Sequence, residues 1–191
     1  MKKLNRQELL DILYGATILG TGGGGSLKVG IEKIDKALAA GKEFKLVTFD
    51  ELEPDDIIGT PYSCGAISPL TEEERKKYER LPQPEEGPHV LALKQMEEFL
   101  GKEVKAVIST ELGGGNTASA FYVGAMTDRL IMDGDPAGRS VPCLQHSTYF
   151  LNNVPIYPIS VMNKFGEGAV FTKVYDDFRA EDLVRALAVV S

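Results

Sequence analysis

Hydrophobic positions near the start of the chain repeat with the period of a helix on either side of a run of glycines. Leu9, Ile12, Leu13, Ala16 and Leu19 share one face. Asn5 precedes them with Glu8 three residues on, the spacing of a capping box, so a helix is predicted to start there and to end at the glycines. Beyond the run, Leu27, Ile31, Ile34 and Leu38 repeat at four, three and four. Ser26 is placed to cap this second helix and Gly41 to stop it, with Glu32 and Lys36 paired on its wet side. The period then changes. Phe44 to Phe49 alternates like a strand, Pro54-Asp55-Asp56 turns the chain, and Ile57 to Tyr62 reads as a second strand.

From Thr71 to Arg80 nearly every position is charged, Thr71 and Glu74 are spaced as a capping box, and only Tyr78 and Leu81 offer apolar surface. A solvated helix or lid is predicted. The linker-like stretch Leu81 to Pro88 leads into a helix bearing Val90, Leu93, Met96, Phe99 and Leu100 and closed by Gly101. Val104 to Ser109 is rich in β-branched residues, which in a chain of alternating helices predicts a strand buried on both faces. Asn116 is placed to cap the next helix, whose Ala120, Val123, Gly124 and Thr127 make a small-residue face able to lie close on a sheet. Leu130 to Met132, Ile156 to Met162 and Ala169 to Val174 read as further strands, and Glu181 to Val190 as a helix. The alternation predicts an α/β fold: a layered, mostly parallel or mixed sheet flanked by helices.

Composition narrows the partners. At 191 residues the chain suits one core of ordinary size. Its 43% hydrophobic and 26% charged content is that of a soluble globular protein, and its net charge of -7 argues against a phosphate backbone, so no nucleic-acid partner is expected. No apolar run approaches the roughly 18 residues of a membrane span. Met1-Lys2-Lys3-Leu4 leads into charged helix, so the expectation is no membrane partner and a cytoplasmic location. Cys64 and Cys143 lie far apart without metal-site spacing and read as free thiols.

The glycine run Gly20-Thr21-Gly22-Gly23-Gly24-Gly25-Ser26 gives up more backbone entropy on folding than an ordinary loop. Gly20, Gly22 and Gly25 satisfy the letters of a dinucleotide fingerprint, but a helix precedes them where that motif needs a strand, and no Gly-Lys-Ser/Thr follows. No nucleotide cofactor is expected. Two readings stay open. Either Gly22, Gly23, Gly24 and Gly25 bind an anionic or strongly polar small ligand through bare N–H groups, or they serve a tight helix-to-helix crossing.

Two more polar loops follow strands, the place where open α/β sheets bind ligands. On them Glu111, Asp133 and Asp135 are candidate catalytic carboxylates, and Asp133 with Asp135 are candidate ligands for a divalent metal. Asn116 could orient a substrate, and Arg139 offers a bidentate fork to a carboxylate or imide-like anion. Plainer readings exist for these residues: Asp and Asn favour turns, and Arg139 suits a surface salt bridge. His89 and His146 are isolated and read as ordinary hydrogen-bonding residues. Cys64 follows a strand, where a nucleophile can sit, though packing is the plainer assignment for both thiols.

Taken together, Gly15 to Gly25, Glu111-Leu112-Gly113-Gly114-Gly115-Asn116, and Asp133 to Arg139 with Pro142 and Leu144-Gln145 resemble the S-methyl thiohydantoin desulfurase family, formerly a domain of unknown function associated with hydantoinase/oxoprolinase proteins. The resemblance covers most of residues 5 to 165. It implies that residues 1–175 form the family's α/β N-terminal domain and that 176–191 is a helix at the start of, or leading to, a β-rich C-terminal domain. It also implies hydrolytic desulfurization of a methylthio-substituted hydantoin ring. In that reaction Glu111, Asp133 or Asp135 would act on water or a metal, Asn116 would orient the substrate, and Arg139 with the glycine amides would hold negative charge. The alternative is a non-catalytic binding module, or an accessory subunit of a hydantoinase/oxoprolinase-like system. A small-molecule substrate and a homo-oligomer are expected. Cys143 stands where an acidic residue is expected and Cys64 where the family pattern has no cysteine, which counts against either thiol as a shared nucleophile.

Overall fold

The computed structural model describes residues 1–65, 71–189 and 191. Its main sheet combines β1 (Lys2–Leu4), β2 (Phe44–Val47), β3 (Ile58–Gly59), β4 (Ala106–Val107) and β5 (Leu130–Met132). The spatial order is β1-β2-β5-β4-β3, with β1 antiparallel to β2 and the other pairs parallel. This is the mixed, mostly parallel sheet that the alternation predicted. Leu46 and Val107 pair with Ile131 from opposite sides, and Ala106, Val107 and Ile131 are wholly buried, as befits strands covered on both faces.

The strands are shorter than their patterns. Of Ile57 to Tyr62 and Val104 to Ser109, only Ile58–Gly59 and Ala106–Val107 join the ladder. Phe49 leaves β2 for a 3₁₀ turn, Phe49–Glu51, in which Glu51 Oε2 accepts the Thr48 N–H at 2.9 Å. β1 was not predicted, because three residues acquire strand character only by pairing with β2.

Helix α1 (Arg6–Leu19) begins with the expected reciprocal capping box between Asn5 and Glu8, and α2 (Leu27–Ala39) begins at Ser26. The predicted Glu32–Lys36 pair does not form; Asp35 on α2 instead meets Arg6 on α1 at 2.7 Å. α3 (Glu72–Tyr78) occupies the charged stretch, where the capping box expected of Thr71 and Glu74 involves a side chain outside the described residues. α4 (Pro88–Leu100) has proline in its first turn and stops at Gly101 in the left-handed region.

α5 (Gly114–Thr127) is the buried axis of the fold, and every residue from Thr117 to Ala125 is buried. Its small residues allow this. A Cβ on Gly124 would lie 2.7 Å from Ile131 Cγ1 and 3.0 Å from Val107 Cγ2, so the helix rests directly on the sheet. α1, α2 and α4 pack around it, filling a core that includes Leu9, Leu13, Ile34, Val90 and Phe121. Asn116 does not cap α5. It lies inside the first turn, and the cap position belongs to Gly113.

A second, antiparallel pair, β6 (Ile159–Met162) and β7 (Gly168–Phe171), packs on α4. After the short α6 (Thr148–Leu151), the last helix is α7 (Asp177–Val189), which starts ahead of the predicted Glu181; the predicted end at Val190 lies outside the described residues. Ala180 and Val184 of α7 join Ile159 and Val174 in a smaller core. Among the described residues no helix is long and apolar enough to cross a membrane.

Candidate functional site

Where the glycine run crosses the loop after β4, backbone meets backbone. Gly24 O accepts the N–H groups of Gly115 at 3.0 Å and Asn116 at 2.9 Å, so a main-chain carbonyl from the run caps α5. A Cβ on Gly24 would lie 2.5 Å from Gly113 Cα, and Gly24 itself holds a φ of 74°. One on Gly23 would lie 2.3 Å from Ser140 Oγ. The crossing therefore draws the run, the Glu111–Asn116 loop and the loop ending at Ser140 together.

Glu111 secures the same junction from the other side. Its side chain is buried, with Oε1 accepting from Asn116 Nδ2 and Oε2 from the Val141 N–H, both at 2.5 Å. These bonds give a buried carboxylate the partners it needs. Glu111 and Asn116 line a cleft of about 140 Å³. Tyr62, Ser63 and Cys64 form a second wall, Pro142, Cys143 and His146 a third, and Glu181 and Arg185 of α7 a fourth. The volume is close to the ~150 Å³ of a cavity that admits a benzene ring.

α7 fastens the third wall. Glu181 Oε2 accepts the Leu144 N–H at 3.1 Å, and Oε1 lies 2.6 Å from Arg185 Nη2, which reaches Pro142 O at 3.4 Å. The neighbouring Glu181 raises the pKa of Arg185 still further. Burial pushes the Cys64 thiol up, against a smaller opposing effect of Arg185, and burial pushes the Tyr62 phenol up as well. Both groups are thus neutral near pH 7.

Behind the second wall, Ser63 Oγ lies 2.8 Å from His89 Nε2 in the first turn of α4. Burial, and secondarily the charge of Lys33, lower the His89 pKa to about 4. Lys33 is itself lowered by burial and donates to Ser119 Oγ at 2.7 Å.

Of the residues singled out from sequence, Glu111 and Asn116 line the cleft, whereas Gly22, Gly23, Gly24, Gly25, Asp133, Asp135 and Arg139 are not among its lining. Asp135 Oδ1 accepts the N–H groups of Ala137 at 2.8 Å and Gly138 at 2.5 Å, closing a turn. Asp133 and Arg139 are exposed. Among the described residues no three His, Cys, Asp or Glu side chains are grouped as a metal site requires. Ser63, Glu181 and Arg185 escaped the sequence reading as site residues. The i, i+4 spacing of Glu181 and Arg185 was visible, but not the loop that they would meet.

The family model described as "S-Me-THD-like, N-terminal domain" matches residues 7–173. A protein from Chromobacterium violaceum, known from an X-ray crystal structure, is similar in fold with a TM-score of 0.73 and 23% sequence identity; the match covers 99% of this chain and 51% of that one. The chain thus spans about half the length of that structure, and at this identity the likeness is one of fold. No curated protein matches the sequence.

Proposed function

The chain belongs to the S-Me-THD-like family through its N-terminal domain, and on that premise we propose that it acts on a small cyclic amide of thiohydantoin type, replacing a methylthio group on the ring with oxygen. Water and the S-methyl ring give a hydantoin and methanethiol. The ring carbon loses its C–S bond and gains a C–O bond, and sulfur leaves with a proton.

The observation that carries this reading is the cleft, which is ring-sized and sets the Asn116 amide and the Arg185 guanidinium among its lining groups. A hydantoin-type ring presents amide N–H and C=O groups at its edge and gathers negative charge as the reacting carbon becomes tetrahedral. Arg185 supplies fixed positive charge for that stage, and Asn116 supplies amide hydrogen bonds. Glu111 acts as a positioning residue, because both of its oxygens are engaged in orienting Asn116 and the Val141 backbone.

The test is to incubate the protein with a methylthio-substituted hydantoin, follow free thiol with a chromogenic disulfide reagent, and measure the melting temperature with hydantoin added. Thiol and hydantoin should appear in equal amounts, and hydantoin should stabilise the fold. A protein that releases no thiol and shows no shift with hydantoin refutes the reading.

A further inference from the structure

The cleft contains a hydroxyl already hydrogen-bonded to an imidazole. We propose that Ser63 is the nucleophile of this cleft and His89 its general base; the choice of substrate rests on the thiohydantoin reading above. Ser63 is exposed and lines the same cleft as Cys64, Asn116 and Arg185. Its Oγ lies 2.8 Å from His89 Nε2, the separation over which a hydroxyl hands its proton to a base. With its own proton on Nδ1, the ring presents Nε2 as an acceptor.

The pair is assembled from separate parts of the fold, since Ser63 follows β3 while His89 belongs to α4. Burial and the neighbouring Lys33 charge keep the imidazole unprotonated at neutral pH, so its lone pair is available. Cys64 is the rival nucleophile. Among the described residues it has no imidazole partner, and burial holds it as a thiol.

The chemistry balances in two halves. Ser63 Oγ attacks the ring carbon bearing the methylthio group, forming a C–O bond, and its proton passes to His89 Nε2. The carbon then expels sulfur, which takes the proton from Nε2 and departs as methanethiol, leaving the ring joined to Ser63. Water adds at the same carbon and gives a proton to Nε2. The bond to Ser63 Oγ breaks, Oγ recovers that proton, and the ring leaves as a hydantoin. No oxidant or reductant is involved.

The test joins a substrate-independent probe to the thiol assay. The protein is incubated with a fluorophosphonate and analysed by intact-mass and peptide-mapping mass spectrometry. One adduct is expected, on Ser63; Ser63→Ala should take none, and His89→Gln should react about 10²-fold more slowly. Ser63→Ala should release thiol from the methylthio-hydantoin about 10³-fold more slowly at an unchanged melting temperature. Absence of an adduct on Ser63 in the folded protein, labelling of His89→Gln at the unsubstituted rate, or full thiol release by Ser63→Ala would each overturn the assignment. A labelled Ser63 without any thiol release sustains the nucleophile and overturns the thiohydantoin reading. Full release by Ser63→Ala does the reverse.

Discussion

Replacing Gly30 with alanine sets helix propensity against packing, and the two predict opposite signs. Gly30 is a buried interior residue of α2, where alanine ordinarily stabilises a helix by about 1 kcal/mol. A Cβ there would lie 2.0 Å from Gly114 O and 3.0 Å from Ala118 Cβ. Carbon atoms rest about 3.5 Å apart, so α2 and α5 must separate by about an ångström or more at their crossing. The nearer obstacle is backbone, which cannot swing aside as a flexible side chain does. Overpacking costs about 1–3 kcal/mol and more when backbone must move, so after the propensity gain Gly30→Ala should lose about 1–3 kcal/mol. For a protein of this size that lowers the melting temperature by roughly 3–10 °C. Gly15→Ala is the matched control. Gly15 lies inside α1, and a Cβ added there would meet nothing within 4 Å, so alanine should stabilise by up to about 1 kcal/mol. Urea unfolding followed by circular dichroism measures both. If Gly30→Ala proves as stable as Gly15→Ala, the close crossing that seats the Asn116 wall is refuted.

Three further outcomes are expected. His89 titrates near 4 when folded against an ordinary 6.5, so the unfolded chain binds more protons between those values; stability should fall as pH drops from 6.5 to 4, by about 1–3 kcal/mol, and His89→Gln should flatten that part of the profile. Glu111→Ala leaves the Asn116 amide and the Val141 N–H without their acceptor, which should cost about 2–4 kcal/mol in urea unfolding and weaken hydantoin binding in calorimetry. Asp135→Ala removes the acceptor of the Ala137 and Gly138 N–H groups and should cost about 1 kcal/mol of stability; a chemical role would appear instead as lost thiol release at an unchanged melting temperature.

What could be read from the chain alone was local. Asn5 with Glu8, Ser26 and Gly101 mark helix ends because a cap is made by residues a few positions away, and the apolar faces of α1 and α2 follow from a period of a few residues. Alternating helices and short β-branched runs likewise sufficed for a mostly parallel sheet. The start of α5 was misplaced because its capping acceptor, Gly24 O, comes from a distant part of the chain, which leaves Asn116 free to bond Glu111. The glycine run posed a choice that no local pattern could resolve. Whether bare backbone faces a ligand or another backbone depends on what lies opposite, and for Gly24 that is Gly113. The cleft obeys the same logic: the i, i+4 spacing of Glu181 and Arg185 is written in the chain, but only tertiary packing set them at one hollow with Ser63 and brought His89 to the Ser63 hydroxyl. Periodicity and capping are short-range and written in adjacent residues, whereas a site is a coincidence of long-range contacts, decided by which surfaces pack closely enough to meet.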